Sequence, residues 1–290
     1  MKIRAPAKVN FGLKIIGQRE DGYHLIDTVI APVSLYDEID IRQSSDRFSI
    51  SVVCRHRDIP GGRGNIAYRA AELFMAVHGI RSGVRITIKK QIPVGAGLGG
   101  GSTDAAATLI GLRRLFGVPA SDEDLLRLAV SLGADVPFFI KGCPARAQGI
   151  GERLKPILDF PPYPLVILYP GIAVSTAWVY RQFGGDLKLT KQTANTSMTP
   201  HLKNIGKLGK LLANDLERVT LAKYPRIGSL KARLLQQGAA AALMSGSGSA
   251  VFGVFGSTRK ARQALRGLRE EEGVQAFLAH VLTKGIDTIP

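Results

Sequence analysis

Apolar and polar positions along this chain change their period several times, and each change marks an element. In residues 7–16, Val9, Phe11, Leu13 and Ile15 alternate with Lys8, Asn10, Gly12 and Lys14, the pattern of a strand with the first set turned inward. That register puts Lys8 and Asn10 on one face, about 7 Å apart. Arg19-Glu-Asp-Gly22 reads as a turn, and strand-like runs follow near 25–33, 37–42 and 47–53. The spacing then lengthens to three and four: Ile66, Ala70, Leu73 and Val77 predict a helix over 65–78 with those four on its buried stripe. Gly83-Val-Arg-Ile-Thr-Ile-Lys-Lys returns to alternation, a strand with one wet face running to Gln91. Ala105, Leu109, Leu112 and Phe116 predict a helix over 102–116 with Ser102 or Thr103 as N-cap. Ser121, followed by three acids, caps another that ends at Gly133, and Arg146–Glu152 reads as a strand turning at Gly149-Ile-Gly.

Pro161-Pro-Tyr-Pro164 marks a boundary between two domains, 1–160 and 161–290. Beyond it, Leu165-Val-Ile-Leu-Tyr169 is a buried strand and Ser175–Phe183 a short helix. Residues 184–204, rich in Gly, Thr, Asn and Lys, read as a mobile loop. Helices are expected near 206–219 and 225–237, two strands around Ser245-Gly-Ser-Gly-Ser249, a helix over 257–269 and a strand near 276–282. The pattern is α+β, and 290 residues suffice for a substantial core.

Charge adds one constraint. The formal net charge is +16, from 39 Lys and Arg against 23 Asp and Glu, which favours polyanionic ligands. It is scattered, with modest concentrations at 201–210 and at Arg259-Lys-Ala-Arg-Gln-Ala-Leu-Arg266; there Ala261, Leu265 and Leu268 form an apolar face, so the basic residues belong to the solvent side of an ordinary helix. Cys54 and Cys143 stand far apart without metal-ligand spacing, which argues against a disulfide framework and a zinc site. Met1-Lys-Ile-Arg-Ala-Pro6 runs into strand-like sequence without an apolar leader, and no apolar run approaches a membrane span, so a cytoplasmic protein is expected.

The chemistry concentrates at Pro93-Val-Gly-Ala-Gly-Leu-Gly-Gly-Gly101, where five of nine residues are glycine. Such a run suits a backbone that takes positive φ or lets a ligand approach its amides. Leading into a helix N-terminus, it offers unpaired N–H groups and a positive dipole end, which suit a phosphate. A Walker A loop is excluded, because Ser102 follows Gly101 with no lysine between. Gly95-x-Gly97-x-x-Gly100 matches the dinucleotide fingerprint, yet the preceding strand has a wet face where that fold needs burial on both, and no acid closes a second strand about 20 residues on. Ser245–Ser249 is a plain hairpin turn unless it faces the first loop. Asp135, between Ala134 and Val136, must be paired or hydrogen-bonded if buried.

Three stretches in this order, Pro6-Ala-Lys-Val-Asn-Phe-Gly-Leu13, Pro93 to Ala107, and Leu243-Met-Ser-Gly-Ser-Gly-Ser-Ala-Val251, resemble the three motifs of the GHMP kinases. A narrower likeness, to members acting on a cytidyl-diphosphate sugar alcohol, rests on Ala7-Lys-Val-Asn10, Gln18-Arg-Glu-Asp-Gly-Tyr-His24, Leu132-Gly-Ala-Asp-Val-Pro137 and Gly149-Ile-Gly-Glu152; in the C-terminal half it is carried by Tyr169-Pro-Gly171, Asn214-Asp215 and the 245–249 turn. The resemblance implies an α+β, two-domain fold, a ribosomal-S5-domain-2-like N-terminal domain and a ferredoxin-like C-terminal one, with the active site in the cleft between them. It implies transfer of the ATP γ-phosphoryl group to a hydroxyl of that substrate, in isoprenoid precursor synthesis by the non-mevalonate route. Asp135 would accept the hydroxyl proton, and Lys8 would help neutralise charge on the moving group.

ATP would be held by Asn65, near the adenine, and by Pro93, Val94, Gly95, Ala96, Gly97, Leu98, Gly99, Gly100, Gly101, Ser102 and Thr103. Tyr23 would stack on the cytosine, His24 would bond its edge, and Tyr180, where the family has phenylalanine, would cover its other face. Asn10 and Thr176 would hold hydroxyl or phosphate groups. Mg2+ is expected with ATP; no protein ligand is assigned to it, and Asp104, close to the loop in sequence, sits at a helix start where an acid favours the dipole. The rival readings are another small-molecule kinase of the superfamily, such as a homoserine or mevalonate kinase, and an RNA-binding protein on a related fold. The latter lacks a basic, aromatic-interleaved stretch and leaves the 93–101 glycines without purpose, so no nucleic-acid or membrane partner is expected. Oligomeric state is left open.

Overall fold

The computed structural model describes residues 1–46, 48–184, 202–269 and 271–289. Its first sheet is built on a long hairpin, β1 (Lys2–Gln18) and β2 (His24–Ser44), joined by β3 (Ile50–Cys54), β4 (Gly83–Lys89), β5 (Ala145–Gly149), β6 (Arg153–Pro156) and β11 (Asp287–Ile289). Strand order is β11-β1-β2-β4-β3, with β5 pairing both β2 and β6. On β4, Val84, Ile86 and Ile88 are buried and Arg85, Thr87 and Lys89 exposed, and its pairing with β2 is antiparallel. A dinucleotide-binding sheet, parallel and covered on both faces, is therefore ruled out.

Four helices cover one face of this sheet: α1 (Ile66–Val77), α2 (Gly100–Leu115), α3 (Asp122–Leu132) and α4 (Val136–Lys141). Ala105, Ala106, Ala107 and Leu109 of α2 pack with Phe74, Phe138 and Phe139 over Ile3, Ile39 and Ile41; full burial of each large side chain contributes about 1.5–3 kcal/mol. Gly111 allows close approach, since a Cβ there would stand 2.5 Å from Ile41 Cδ1.

The second sheet, in order β10-β7-β9-β8, comprises β7 (Pro164–Tyr169), β8 (Ala241–Met244), β9 (Val251–Val254) and β10 (Gln275–His280). Every pairing in it is antiparallel. With its helices it makes the βαββαβ order of a ferredoxin-like unit. On one face lie α5 (Thr176–Gly184), α7 (Glu217–Lys223), α8 (Pro225–Gln236) and α9 (Thr258–Leu268), with Leu216, Ile227, Leu234 and Leu265 packed on Val166 and Leu168, whereas Leu208 of α6 (Ile205–Leu211) joins the cluster on the other face. Leu165, Ile167 and Phe252 on the opposite face meet Val9, Phe11, Val29 and Val33 of the long hairpin, with Phe11 and Phe252 ring centroids 5.4 Å apart. The hairpin is thus shared between the sheets. Its inner side carries the second sheet and leaves Lys8 and Asn10 on the other side of β1. Among the described residues no helix is long and apolar enough to cross a membrane.

Four local expectations are corrected. The buried face of α1 is Ala67, Ala70, Ala71, Phe74 and Met75, and Val77 is 58% exposed; small residues let α1 sit close to α2, which Leu73 and Val77 on that face would prevent. The helix expected over 206–219 is two, because residues 213–215 join β1: Leu13 N–H donates to Ala213 O at 2.9 Å and Asp215 N–H to Leu13 O at 3.0 Å. The α2 helix begins at Gly100 with Gly99 as N-cap, ahead of Ser102 and Thr103. The runs at 25–33 and 37–42 are one continuous strand. Of the 184–204 loop, residues 185–201 lie outside the described residues.

Candidate active site

A cavity of about 1170 Å³ opens between the glycine loop, the inner end of the hairpin, α5 and the 245–249 turn. Gly95, Gly97 and Gly99 have φ of 65°, 74° and 73°, so the loop needs glycine at each second position. Its carbonyls are turned into the protein. Val94 O accepts from the Tyr169 hydroxyl at 3.2 Å and Gly97 O from Ser245 Oγ at 2.9 Å, while Gly95, Ala96, Leu98 and Gly99 carbonyls accept from the amides of Val174, Ala250, Lys8 and Thr103 at 2.9–3.0 Å. Among the described residues none of the amides from Gly95 to Ser102 donates within the protein. Acceptors face protein and donors face the cavity, at the N-terminus of a 16-residue helix. That arrangement suits an anion.

The 245–249 turn does face this loop, so the plain hairpin reading gives way to a paired structure. A Cβ on Gly97 would stand 2.1 Å from Ser245 O. Sequence reasoning missed what holds this turn. Asn214 donates from Nδ2 to Met244 O at 2.9 Å and Gly246 O at 2.7 Å, Thr220 Oγ1 to Ser247 O at 3.1 Å, and Glu217 accepts the Met244 amide at 2.9 Å. The sequence offered Asn214-Asp215 and the 245–249 turn as separate parts of the family likeness, without the bond that joins them. Asn214→Ala leaves two carbonyls of a buried turn without donors, at about 1–3 kcal/mol, and at about 2–4 °C per kcal/mol thermal unfolding should show a clear fall in Tm. An unchanged Tm would mean that the turn holds itself.

Lys8, its side chain 6% exposed, donates to Asn10 Oδ1 at 2.6 Å, and Asn10 Nδ2 donates to Thr28 Oγ1 at 2.9 Å. Lys8 Nζ also lies 3.6 Å from Asp135 Oδ2. Asp135 immediately precedes α4 and makes no side-chain cap bond. Its apolar neighbours suggested burial, but Val136 and Pro137 turn inward with α4 and leave the carboxylate 41% exposed to the cavity.

At the other end, Tyr23 is 61% exposed, whereas His24 is buried, its Nε2 without a partner among the described residues. Burial lowers the His24 pKa, which leaves the ring neutral at pH 7. The Tyr180 ring lies 5.4 Å from that of His24, and burial first, then the Asp135 carboxylate, push its phenol up. Thr176 Oγ1 and Ser247 Oγ are 2.8 Å apart. Asn65 caps α1, accepting from Ala67 N at 2.9 Å and donating to Pro60 O at 3.1 Å. The structure brings all the sequence-selected residues to the cavity wall except Thr103, which is fully buried. It adds Thr28, Asp58, Ile59, Pro60, Lys90, Asp104, Gly246 and Ser247. Asp104 neither caps nor serves the helix dipole: it is buried and bonded to Lys90 at 2.8 Å.

Comparison with known proteins matches this geometry. The GHMP kinases N terminal domain model matches residues 65–143 and the GHMP kinases C terminal model residues 197–274. A 4-diphosphocytidyl-2-C-methyl-D-erythritol kinase of Geobacter metallireducens is 46% identical over 268 residues, 92% of this chain and 94% of its own. One of Acetivibrio thermocellus is 41% identical over 273 residues, 94% and 96% of the two chains. Among solved structures, a 4-(cytidine 5'-diphospho)-2C-methyl-D-erythritol kinase superposes with a TM-score of 0.82 at 38% identity, covering 97% of this chain and 99% of its own. A homoserine kinase of Cytophaga hutchinsonii, TM-score 0.74 at 20% identity over 100% and 97% of the two chains, shares the fold. By its two lobes, its loop and this degree of identity, the chain belongs to the GHMP kinases, in the family of the 4-diphosphocytidyl-2-C-methyl-D-erythritol kinases.

Proposed function

We propose that this kinase transfers the γ-phosphoryl group of ATP to the 2-hydroxyl of 4-diphosphocytidyl-2-C-methyl-D-erythritol, a step of the non-mevalonate route to isoprenoid precursors. One observation carries the reading: a run of amides without protein partners ends beside a lysine and a cavity-exposed aspartate 3.6 Å apart. The amides hold the ATP phosphates. The substrate oxygen attacks the γ-phosphorus as the bond to the β–γ bridging oxygen breaks, the electron pair leaves with ADP, and the hydroxyl proton passes to Asp135. Lys8, held by Asn10, faces both the carboxylate and the transferring group and offsets the negative charge they bring together. Mg2+ would enter with ATP and would offset the charge of its phosphates; among the described residues no group of three or more His, Cys, Asp or Glu forms a metal cluster.

The cytosine fits between Tyr23 and Tyr180, with the unpartnered, neutral His24 Nε2 at its edge. Asn10 and Thr176 hold the sugar alcohol or its phosphates, Asn65 lies by the adenine, and 1–160 and 161–290 act as the two lobes, save that β11 (Asp287–Ile289) returns to the first sheet beside β1. Base stacking contributes about 1–3 kcal/mol per aromatic. Tyr23→Ala should therefore raise KM for the cytidyl substrate about 5- to 150-fold and leave KM for ATP nearly unchanged; equal effects on both would remove the stacking role. An ADP-release assay tests the whole reading. Turnover is expected with the cytidyl substrate and none with homoserine or mevalonate, where the likeness is one of fold, at 20% and 15% identity. Turnover with either of those alone would overturn it.

A further inference from the structure

Beside the glycine loop lies a set of buried charges to which the phosphoryl transfer assigns no role. The Lys90 ammonium sits between Asp37 of β2 and Asp104 of α2, hydrogen-bonded to both, and the three side chains are 5%, 0% and 5% exposed. Asp37 is fully occupied: its other oxygen accepts the amides of Gln91 at 2.7 Å and Ile92 at 2.9 Å, which pins the strand end from which the loop departs. Asp104 is not, since its Oδ1 is buried without a partner among the described residues. Lys90 and Asp104 both line the cavity. Lys90 Nζ stands 3.1 Å from where a Cβ on Gly100 would be, at the first residue of α2. The cluster thus touches the cradle at its strand end and its helix end.

One ammonium cannot neutralise two buried carboxylates, and a net negative charge here would repel the polyanion for which the cradle is shaped. We propose that Asp37, Lys90 and Asp104 are positioning residues for the nucleotide, with Asp104 held as the neutral acid so that the phosphates meet no net charge beside the loop. Burial above all, with Asp37 adding to it and Lys90 opposing it, moves Asp104 up to about 8. Burial also opposes the charge on Lys90, but the two carboxylates outweigh it and hold its pKa above the usual value. The titratable groups facing Asp104 are Lys90, Asp37 and, from β3, the Cys54 thiol, which burial pushes up. The neutral acid is present below about pH 8 and lost above it, so ATP affinity falls on the alkaline side.

The inference rests on ATP phosphates lying at this loop. Its test is calorimetric titration of a non-hydrolysable ATP analogue into the intact enzyme and into Asp104→Asn, which is neutral at every pH. Between pH 7 and 9 the unaltered enzyme should lose about tenfold in affinity, as expected when only the protonated form binds, while the variant stays nearly constant. At pH 8, in two buffers of different ionisation heat, the unaltered enzyme should take up about half a proton per nucleotide and the variant none. A flat affinity from pH 7 to 9 in the unaltered enzyme, or a parallel loss in both proteins, would overturn the role of Asp104. Should Asp104→Asn not fold, the proton uptake of the unaltered enzyme decides alone. Absence of nucleotide binding at any pH would instead overturn the phosphate-loop reading.

Discussion

Asp135→Asn should lower kcat by about 10²- to 10⁴-fold, the range attributed to a positioned general base, with nucleotide affinity little changed. The side chain is the same size, and Asp135 makes no cap bond to α4 that the amide could disturb. What is lost is the proton acceptor beside Lys8. Single-turnover measurements with the cytidyl substrate, alongside titration of an ATP analogue, separate the two effects. Near-normal turnover would remove Asp135 from the role of base and leave Lys8 and the amide cradle as the whole of the transition-state stabilisation.

Gly97→Ala should be at least as damaging, by a different route. Its backbone at φ 74° disfavours any side chain, and the new Cβ would lie 2.1 Å from Ser245 O. Left-handed strain costs about 1–3 kcal/mol and overpacking about as much again; relief comes only from parting the loop from the 245–249 turn. ATP affinity and Tm should fall together. Gly61→Ala is the comparison, since Gly61 has φ −83° with nothing within 4 Å of the added carbon, and it should leave both unchanged. A Gly97→Ala enzyme with ordinary ATP binding would show that the docking of the two turns does not shape the cradle.

The strand alternation made much of this site legible, because Lys8 and Asn10 two residues apart on one strand must share a face, and they are joined at 2.6 Å. The glycine loop was legible because glycine repeated at alternate positions has few uses besides positive φ. Asp135 was visible only as a carboxylate in apolar company; residue periodicity could not show that α4 buries the company and exposes the acid. Asp37 gave no signal at all. It looks like a polar strand residue, and its partners Lys90, Gln91 and Ile92 lie more than 50 positions away. The break between α6 and α7 was hidden likewise, because Asn214 leaves a helical pattern to serve β1 and the 245–249 turn.

The most direct measurement is a crystal structure with a non-hydrolysable ATP analogue and the cytidyl substrate. The account predicts phosphate oxygens within hydrogen-bond distance of the amides between Gly95 and Ser102, and the substrate 2-hydroxyl between Asp135, Lys8 and the terminal phosphorus. Phosphates bound elsewhere, or a hydroxyl far from those two side chains, would contradict it.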